Sequence, residues 1–128
     1  MMRRQSLSTV AIGRKAEKSA EKFLRRRGYR ILHRNLRLPR GEIDIVAEHK
    51  GVLVFVEVKA RSSDEFGTPI EAVNYRKRKQ LSRLAEQYIA HYESTERDYR
   101  FDVVEVYLRS DGKVSRIEVI QDAFDVVM

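Results

Sequence analysis

The sequence predicts one α/β domain in the order helix, three strands, helix, two strands. Three observations support this prediction. Apolar residues recur at helical spacing in two segments, extended runs rich in Val and Ile lie between and after them, and Gly or Pro separates the runs. The 128 residues suit one core of ordinary size, so we expect a single domain over 1–128 with residues 1–11 as a flexible N-terminus.

The first segment, residues 12–27, is predicted to be an amphipathic helix that Gly28 ends. Its apolar stripe consists of Ile12, Ala16, Ala20, Phe23, Leu24 and the stem of Arg27. Glu17 lies at the border of this stripe, roughly 85° from its centre, whereas Glu21 is turned further toward solvent. Glu17 is therefore the better candidate to reach a site on the sheet, and the alternative is a solvated helix carboxylate.

Three extended stretches follow, at residues 29–37, 42–48 and 52–60, and they predict a meander of three strands. Breaks at residues 39–41 and 49–51 separate the stretches. Residues 52–56 are apolar on both faces, which is typical of a central strand. That strand runs directly into Glu57-Val-Lys59, so two charges end a buried element.

A polar loop at residues 61–67 leads to the second predicted helix, where Thr68 caps the first turn, Pro69 occupies it and Glu71 completes a capping box. The apolar positions of this helix are Ile70, Val73, Leu81, Leu84, Ala85, Tyr88, Ile89 and Tyr92. Strands are then predicted at residues 101–109 and 114–120, joined through the two-residue hairpin signal Asp111-Gly112. Residues 122–128 would form a short terminal turn or extension.

The order of charges suggests a metal site. Alternation in a strand places Glu57 and Lys59 on one face, and a hairpin turning through Lys50-Gly51 brings Asp44 opposite Glu57. A turn through His49-Lys50 would shift Asp44 by one diagonal step and still leave both carboxylates on that face, whereas a three-residue loop would separate them. The two carboxylates repel each other unless a divalent cation lies between them.

Mg²⁺ prefers such hard oxygen ligands, and the ammonium of Lys59 could hold an attacking water or neutralise charge on a phosphate. The alternative is an ordinary ion pair on the exposed end of a strand, with Asp44 in a surface set of salt bridges.

Composition favours an anionic partner. Lys and Arg number 26 against 19 acidic residues, giving a formal charge of +7 and a pI near 9.9, which suits nucleic acid or an anionic membrane surface. The absence of Cys excludes disulfides and thiolate zinc sites and suits a reducing cytosol. No apolar run is long enough to span a bilayer, so we expect a cytoplasmic protein without membrane insertion.

Two stretches resemble a known family. Residues 41–46 read GEIDIV and residues 54–59 read VFVEVK, and they are followed by Arg61, Gly67, Val73, Lys77 and the stretch RFDVV at 100–104. These motifs resemble the YraN family of bacterial proteins, described as endonucleases, within the PD-(D/E)xK nuclease superfamily, and similar to archaeal Holliday-junction resolvases. The resemblance extends from Gly13 to Phe124. It implies a restriction-endonuclease-like core, with a mixed central sheet flanked by helices, and an additional C-terminal strand.

The resemblance also implies residue roles. Asp44 and Glu57 would be metal ligands for Mg²⁺, with Mn²⁺ as an alternative, Lys59 the catalytic lysine and Glu17 the acid on the helix. The family usually has Gly where this chain has Ala16, immediately before Glu17. Glu42 and Asp102 rank below these four, as supporting acids: Glu42 shares the site face of the hairpin, and Asp102 shares a face with Val104 and Val106. The implied substrate is DNA, including branched or junction forms, and the resemblance admits a homodimer.

A basic segment could contact the DNA backbone beside that site. We expect such contacts from Arg61, Arg76, Lys77, Arg78, Lys79 and Arg83. The alternative is a solvated helix face. His33, His49 and His91 show no zinc-site spacing, and each is expected at the surface or in a turn.

Three classes of function are thus open. A metal-dependent endonuclease is favoured, because the acidic residues and the lysine are all present. A DNA-binding protein without turnover would bind DNA even after loss of Asp44, Glu57 and Mg²⁺. A structural or protein-binding module, the weakest of the three, would use its basic face on an acidic partner and would not bind DNA at low salt.

Overall fold

The computed structural model describes residues 9–62 and 73–128. The helices and strands are α1 (Thr9–Arg26), β1 (Arg30–Leu38), β2 (Gly41–His49), β3 (Val52–Ser62), α2 (Tyr75–Tyr92), β4 (Tyr99–Leu108) and β5 (Val114–Phe124). The predicted order of helix, three strands, helix, two strands is confirmed. So is the strand beyond the α-β-β-β-α-β core.

One mixed sheet contains all five strands in the order β1-β2-β3-β4-β5. The first three strands form an antiparallel meander, β4 lies parallel to β3, and β5 returns antiparallel to β4. The parallel pair requires a crossover, and the segment containing α2 supplies it. The α/β class with a mixed central sheet flanked by helices is therefore confirmed.

The two helices cover opposite faces of this sheet. Ala16, Ala20 and Leu24 of α1 belong to one buried cluster with Val54 and Val56 of β3. A second buried cluster joins α2 to the other side of the sheet, through Leu81, Leu84, Tyr88, Phe55 and Phe101. The central strand β3 thus has apolar side chains buried on both faces, as its uninterrupted apolar run predicts.

The first helix begins earlier than its apolar stripe predicts. It includes residues 9–11, which the sequence assigns to a flexible N-terminus; residues 1–8 lie outside the described residues. The apolar stripe shows only which residues pack against the sheet. A further helical turn can precede it, because that turn is held by backbone hydrogen bonds and needs no packing. At the other end Gly28 has φ 88°, and the N–H of Tyr29 donates to the carbonyl of Leu24, which closes the helix as predicted.

The second helix begins later than predicted. Asn74 has an extended backbone, and its side chain accepts the N–H of Lys77 at 2.9 Å, so the helix starts at Tyr75. The prediction that Val73 is helical is wrong, although Val73 is buried. The predicted capping box at Thr68 to Glu71 and the loop containing Gly67 lie outside the described residues.

The β2–β3 and β4–β5 hairpins turn differently. Lys50 and Gly51 have φ values of 51° and 81°, which suits the tight turn predicted between β2 and β3. The two-residue turn predicted at Asp111-Gly112 is wrong: Arg109 N–H bonds the carbonyl of Lys113, which leaves three residues in the loop. Gly112, at φ 83°, supplies the left-handed residue that such a loop requires. The strand β5 extends to Phe124, into the segment expected as a terminal turn or extension.

His49 is buried, contrary to the surface or turn position expected for it. Its ring stacks on Tyr29 with centroids 4.1 Å apart, and Arg100 Nη2 donates to its Nδ1 at 2.8 Å. Burial and the nearby Arg100 lower the pKa of His49, so the neutral ring is favoured. The turn itself occupies the next two residues. Within the described ranges, neither helix combines the length and apolarity needed to cross a membrane.

Candidate active site

The β2–β3 hairpin aligns the two carboxylates that the sequence singles out. His49 pairs with Val52, and the ladder continues to Ile45 opposite Val56. One further step brings Asp44 to the level of Glu57. Of the two registers that the sequence allows, the structure has the one that turns through Lys50-Gly51.

Asp44 takes the place of a backbone acceptor where the ladder ends. Its Oδ2 accepts the N–H of Val58 at 2.9 Å, which fixes the carboxylate between the two strands. Burial raises the pKa of Asp44, while the bond from Val58 and the charge of Lys77 act in the opposite direction. This carboxylate is held in place, and it is partly removed from water.

Glu57 is a buried carboxylate with an unsatisfied atom. The residue is 5% exposed, and its Oε2 has no hydrogen-bond partner among residues 9–62 and 73–128. Burial first, and then repulsion by Asp44, raises the pKa of Glu57 to about 7. Lys59, two residues along the same face, has its Nζ 3.9 Å from Oε1 of Glu57 and is about one-third exposed. The predicted acid and base therefore point into one space.

Lys77 also belongs to the site, although the sequence suggests only a DNA contact for it. Its Nζ lies 3.7 Å from Oε1 of Glu57. The Asn74 cap starts α2 such that its first turn carries Lys77 to the ends of β2 and β3. Two ammonium groups thus face one buried carboxylate, which partly offsets the cost of burying its charge. The only sign of this position in the sequence is that Lys77 lies three residues after Asn74, as a residue bonded by a helix cap does. The helical spacing of the apolar residues does not show it.

From the face of the sheet opposite α2, helix α1 brings Glu17 to Asp44 and Glu42. One carboxylate oxygen from each of these three residues lies within 4.8 Å of the other two. Burial, and then the charge of Asp44, raises the pKa of Glu17, while Asn35 hydrogen-bonds the Glu17 side chain. Asn35 has φ 48° in the middle of β1, a second feature that the sequence did not reveal.

These donors suit a divalent cation. Carboxylate oxygens are the hard ligands that Mg²⁺ prefers. The compact group contains Glu42, which sequence analysis ranks lower, and does not include Glu57. Glu57, on the neighbouring strand, instead contributes a buried oxygen that no described residue hydrogen-bonds. A cation at the ends of β2 and β3 would relieve both the repulsion within the group and the unsatisfied atom.

The basic residues predicted to contact DNA are dispersed. Arg76, Lys79 and Arg83 of α2, with Arg40 of the β1–β2 turn, line a groove of about 570 Å³. Arg78 does not line this groove, and its buried Nε has no hydrogen-bond partner within the part of the chain that the structure describes. Arg61 is paired instead with the buried carboxylate of Glu105 on β4, and its side chain is only 15% exposed.

Asp102 is fully buried and makes its contacts outside the acidic group. Its carboxylate accepts hydrogen bonds from the hydroxyl of Tyr29, the guanidinium of Arg100 and the backbone N–H of Asp122. In the parallel pairing Asp102 lies opposite Val56. Tyr29 belongs to the α1 side of the core, with Val104 and Val106, so Asp102 faces the side of the sheet opposite Glu57.

Comparison with known proteins places the chain in a family. Residues 16–106 match the uncharacterised protein family UPF0102. The chain belongs to this family. The UPF0102 protein of Caldicellulosiruptor saccharolyticus is 44% identical over 88% of the chain and 96% of the relative, and that of Symbiobacterium thermophilum is 49% identical over 88% and 95%. This confirms the YraN resemblance that the motifs around Asp44 and Glu57 predict.

Solved structures show weaker likenesses. A repair endonuclease from Pyrococcus abyssi is 18% identical, with a TM-score of 0.47 over 87% of this chain and 42% of that one. An EndoMS-dsDNA2 complex gives 18% identity and a TM-score of 0.47 over 79% and 38%. These values describe a partial resemblance of chain path to proteins more than twice as long, and they say nothing about activity.

Proposed function

We propose that this UPF0102 protein is a divalent-metal-dependent endonuclease that hydrolyses phosphodiester bonds of DNA. The proposal depends most on Glu57, a buried carboxylate beside two lysines and next to Asp44, with one oxygen that no described residue hydrogen-bonds. Burying such a group opposes folding unless something compensates for it. Metal-dependent chemistry gives a reason to keep it.

The carboxylates of the site would bind the cation, and the lysines would act on the attacking water, the phosphate or Glu57. Asp44 and Glu57 would hold the cation, with Glu17 and Glu42 beside Asp44. A bound cation supplies a Lewis acid and lowers the pKa of a water molecule. The Lys59 ammonium, next to Glu57, orients the attacking water or neutralises charge that develops on the phosphate oxygens. Lys77 favours the charged form of Glu57.

The positive charge of the protein supports DNA as the substrate. The chain carries a formal charge of +7, and the basic groove on α2 is lined by Arg76, next to Lys77 in the sequence, and by Lys79. Sequence-independent backbone contacts are what such a surface provides. We propose DNA in the cytoplasm as the substrate, with branched and junction forms among the candidates, and either a monomer or a homodimer as the active species.

Cleavage of labelled linear, flapped and four-way-junction DNA with Mg²⁺ or Mn²⁺ tests the proposal. The wild type is compared with Asp44→Asn, Glu57→Gln and Lys59→Met, and DNA binding is measured in parallel. Lys50→Met is the matched control, because Lys50 lies in the turn roughly 20 Å along the hairpin from Glu57. We expect each site variant to lose at least ~100-fold in cleavage rate while binding persists.

Two other results would count against the proposal. DNA binding without any cutting, on every substrate and with both metals, would identify a DNA-binding protein without turnover. Equal cutting by the wild type and by Glu57→Gln would show that the hydrolysis does not come from this site.

A further inference from the structure

We propose that the groove between α1 and β1 is a second nucleic-acid backbone site, on the sheet face opposite α2. This inference rests on the proposed function, because it names how the same substrate reaches the same acids. The groove has a volume of about 410 Å³ and is lined by α1, by β1 and by Asp44 of β2. It therefore leads directly to the candidate metal ligands.

The α1 wall of this groove carries a regular row of cations. Arg14, Lys18 and Lys22 line it at successive intervals of four residues, and all three are exposed. Each interval corresponds to ~6 Å along the helix, so the row extends for ~12 Å. Duplex DNA carries one charge per ~1.7 Å of axis, so a row of this length faces several phosphates.

These three cations are available to an external anion. Within residues 9–62 and 73–128, none of them forms an ion pair, whereas the neighbouring acid Glu21 is already paired with Arg25 at 2.8 Å and Arg34 at 2.6 Å. The chain thus neutralises Glu21 with other arginines. Positive charge remains on the row from Arg14 to Lys22.

The shape of the site distinguishes this surface from an ordinary solvated helix face. A solvated face needs no second wall, but here Arg34 of β1 reaches across the groove to α1. Glu17 and Asp44 lie within the groove, and Asn35 from β1 bonds the Glu17 side chain. A phosphate that follows the row of cations would arrive at the acidic group.

The groove and the basic surface of α2 lie on opposite faces of the sheet and meet at the ends of β2 and β3. From one face Glu17 reaches that point, and from the other Lys77 reaches it. A nucleic acid at the site can therefore be held from both sides. Loss of either surface should weaken binding, since neither substitutes for the other.

Fluorescence anisotropy of labelled duplex DNA tests this inference, with EDTA present to prevent cutting. The groove variant combines Arg14→Ala, Lys18→Ala and Lys22→Ala. The control variant combines Arg116→Ala, Lys50→Ala and Lys113→Ala, which are exposed, lie outside both the groove and helix α1, and remove the same charge. Far-ultraviolet circular dichroism verifies that both variants fold.

We expect the groove variant to bind at least ~10-fold more weakly, with the slope of log K against log salt reduced by ~2–3, since each lost phosphate contact removes ~0.9. The control variant should lose less than ~2-fold with little change in slope. Equal losses in both variants would show a general charge effect and overturn the inference.

The remaining outcomes separate this inference from the proposed function. If the groove variant binds like the wild type while the wild type cuts DNA, the groove proposal fails and the nuclease proposal stands. If the wild type binds no DNA even at low salt, both fail.

Discussion

At the scale of single residues, the charged form of Glu57 lowers the stability of the fold, although the proposed metal site requires it. Burial raises its pKa to about 7 in the folded protein, from an ordinary value of 4.5. The native state therefore holds this proton more tightly than the unfolded chain does. The metal-free protein loses stability as the pH rises from about 4.5 through about 7. Above that range Glu57 is ionised in both states, and the full free-energy cost of burying its charge is present.

Glu57→Gln removes this cost and should stabilise the metal-free protein. At pH 8 we expect the free energy of unfolding to rise by ~2–3 kcal/mol, and at pH 4 we expect little difference from wild type. Urea denaturation in the presence of a chelator measures both values. The control is Glu118→Gln, which changes a half-exposed carboxylate on β5. If Glu57→Gln is less stable at pH 8, the carboxylate supports the fold, and the main argument for a metal site is lost.

Lys77 should act on the rate more than on binding, because its ammonium lies 3.7 Å from Glu57. We expect Lys77→Met to lower the cleavage rate at saturating DNA by ~10–100-fold, with a smaller change in KM. Lys79→Met is the matched control: it lines the α2 groove and should raise KM while leaving the saturated rate near that of wild type. The opposite pattern would return Lys77 to the role of a backbone contact.

At the scale of elements, the position of Lys77 depends on the cap of α2. The Asn74 side chain accepts the N–H of Lys77 at 2.9 Å, so the same residue is fixed by the cap and presented to the site. We expect Asn74→Ala to destabilise the protein by ~1 kcal/mol in urea denaturation, and Asn74→Asp to retain most of the stability. An equal loss in both variants would show that the cap hydrogen bond contributes little.

The elements also show what sequence could and could not predict. Alternation and helical spacing predicted the order of elements. Both two-residue turns that the sequence allows keep Asp44 and Glu57 on one face, and the structure decides between the two registers. The spacing of apolar residues did not predict where α2 begins. That spacing continues through Val73, whereas the Asn74 cap sets the first residue of the helix. The contribution of Lys77 to the site was hidden too, because it depends on how the crossover packs α2 on the sheet.

At the scale of the whole molecule, a buried polar network ties distant segments together on the α1 side of the sheet. Arg100 donates to Asp102 and to His49, and Gln121 donates to the hydroxyl of Tyr29. Tyr29 in turn donates to Asp102 at 2.7 Å. Such a network is stable only while each buried group keeps its partners, which pattern in the sequence cannot show. Asp102 thus has a structural explanation that does not involve the acidic group.

Asp102→Asn tests that explanation, because it keeps the shape of the side chain and removes its charge. The carboxylate accepts from Tyr29, Arg100 and Asp122, and an amide has only one oxygen to offer these donors. We expect a loss of ~2–4 kcal/mol in the free energy of unfolding. Well below the unfolding transition, cleavage per folded molecule should equal that of the wild type, since Asp102 faces away from Glu57. Reduced cleavage without loss of stability would instead assign Asp102 a role in positioning the acids of the site, and would mean that the electrostatics of the two sheet faces are coupled through β3.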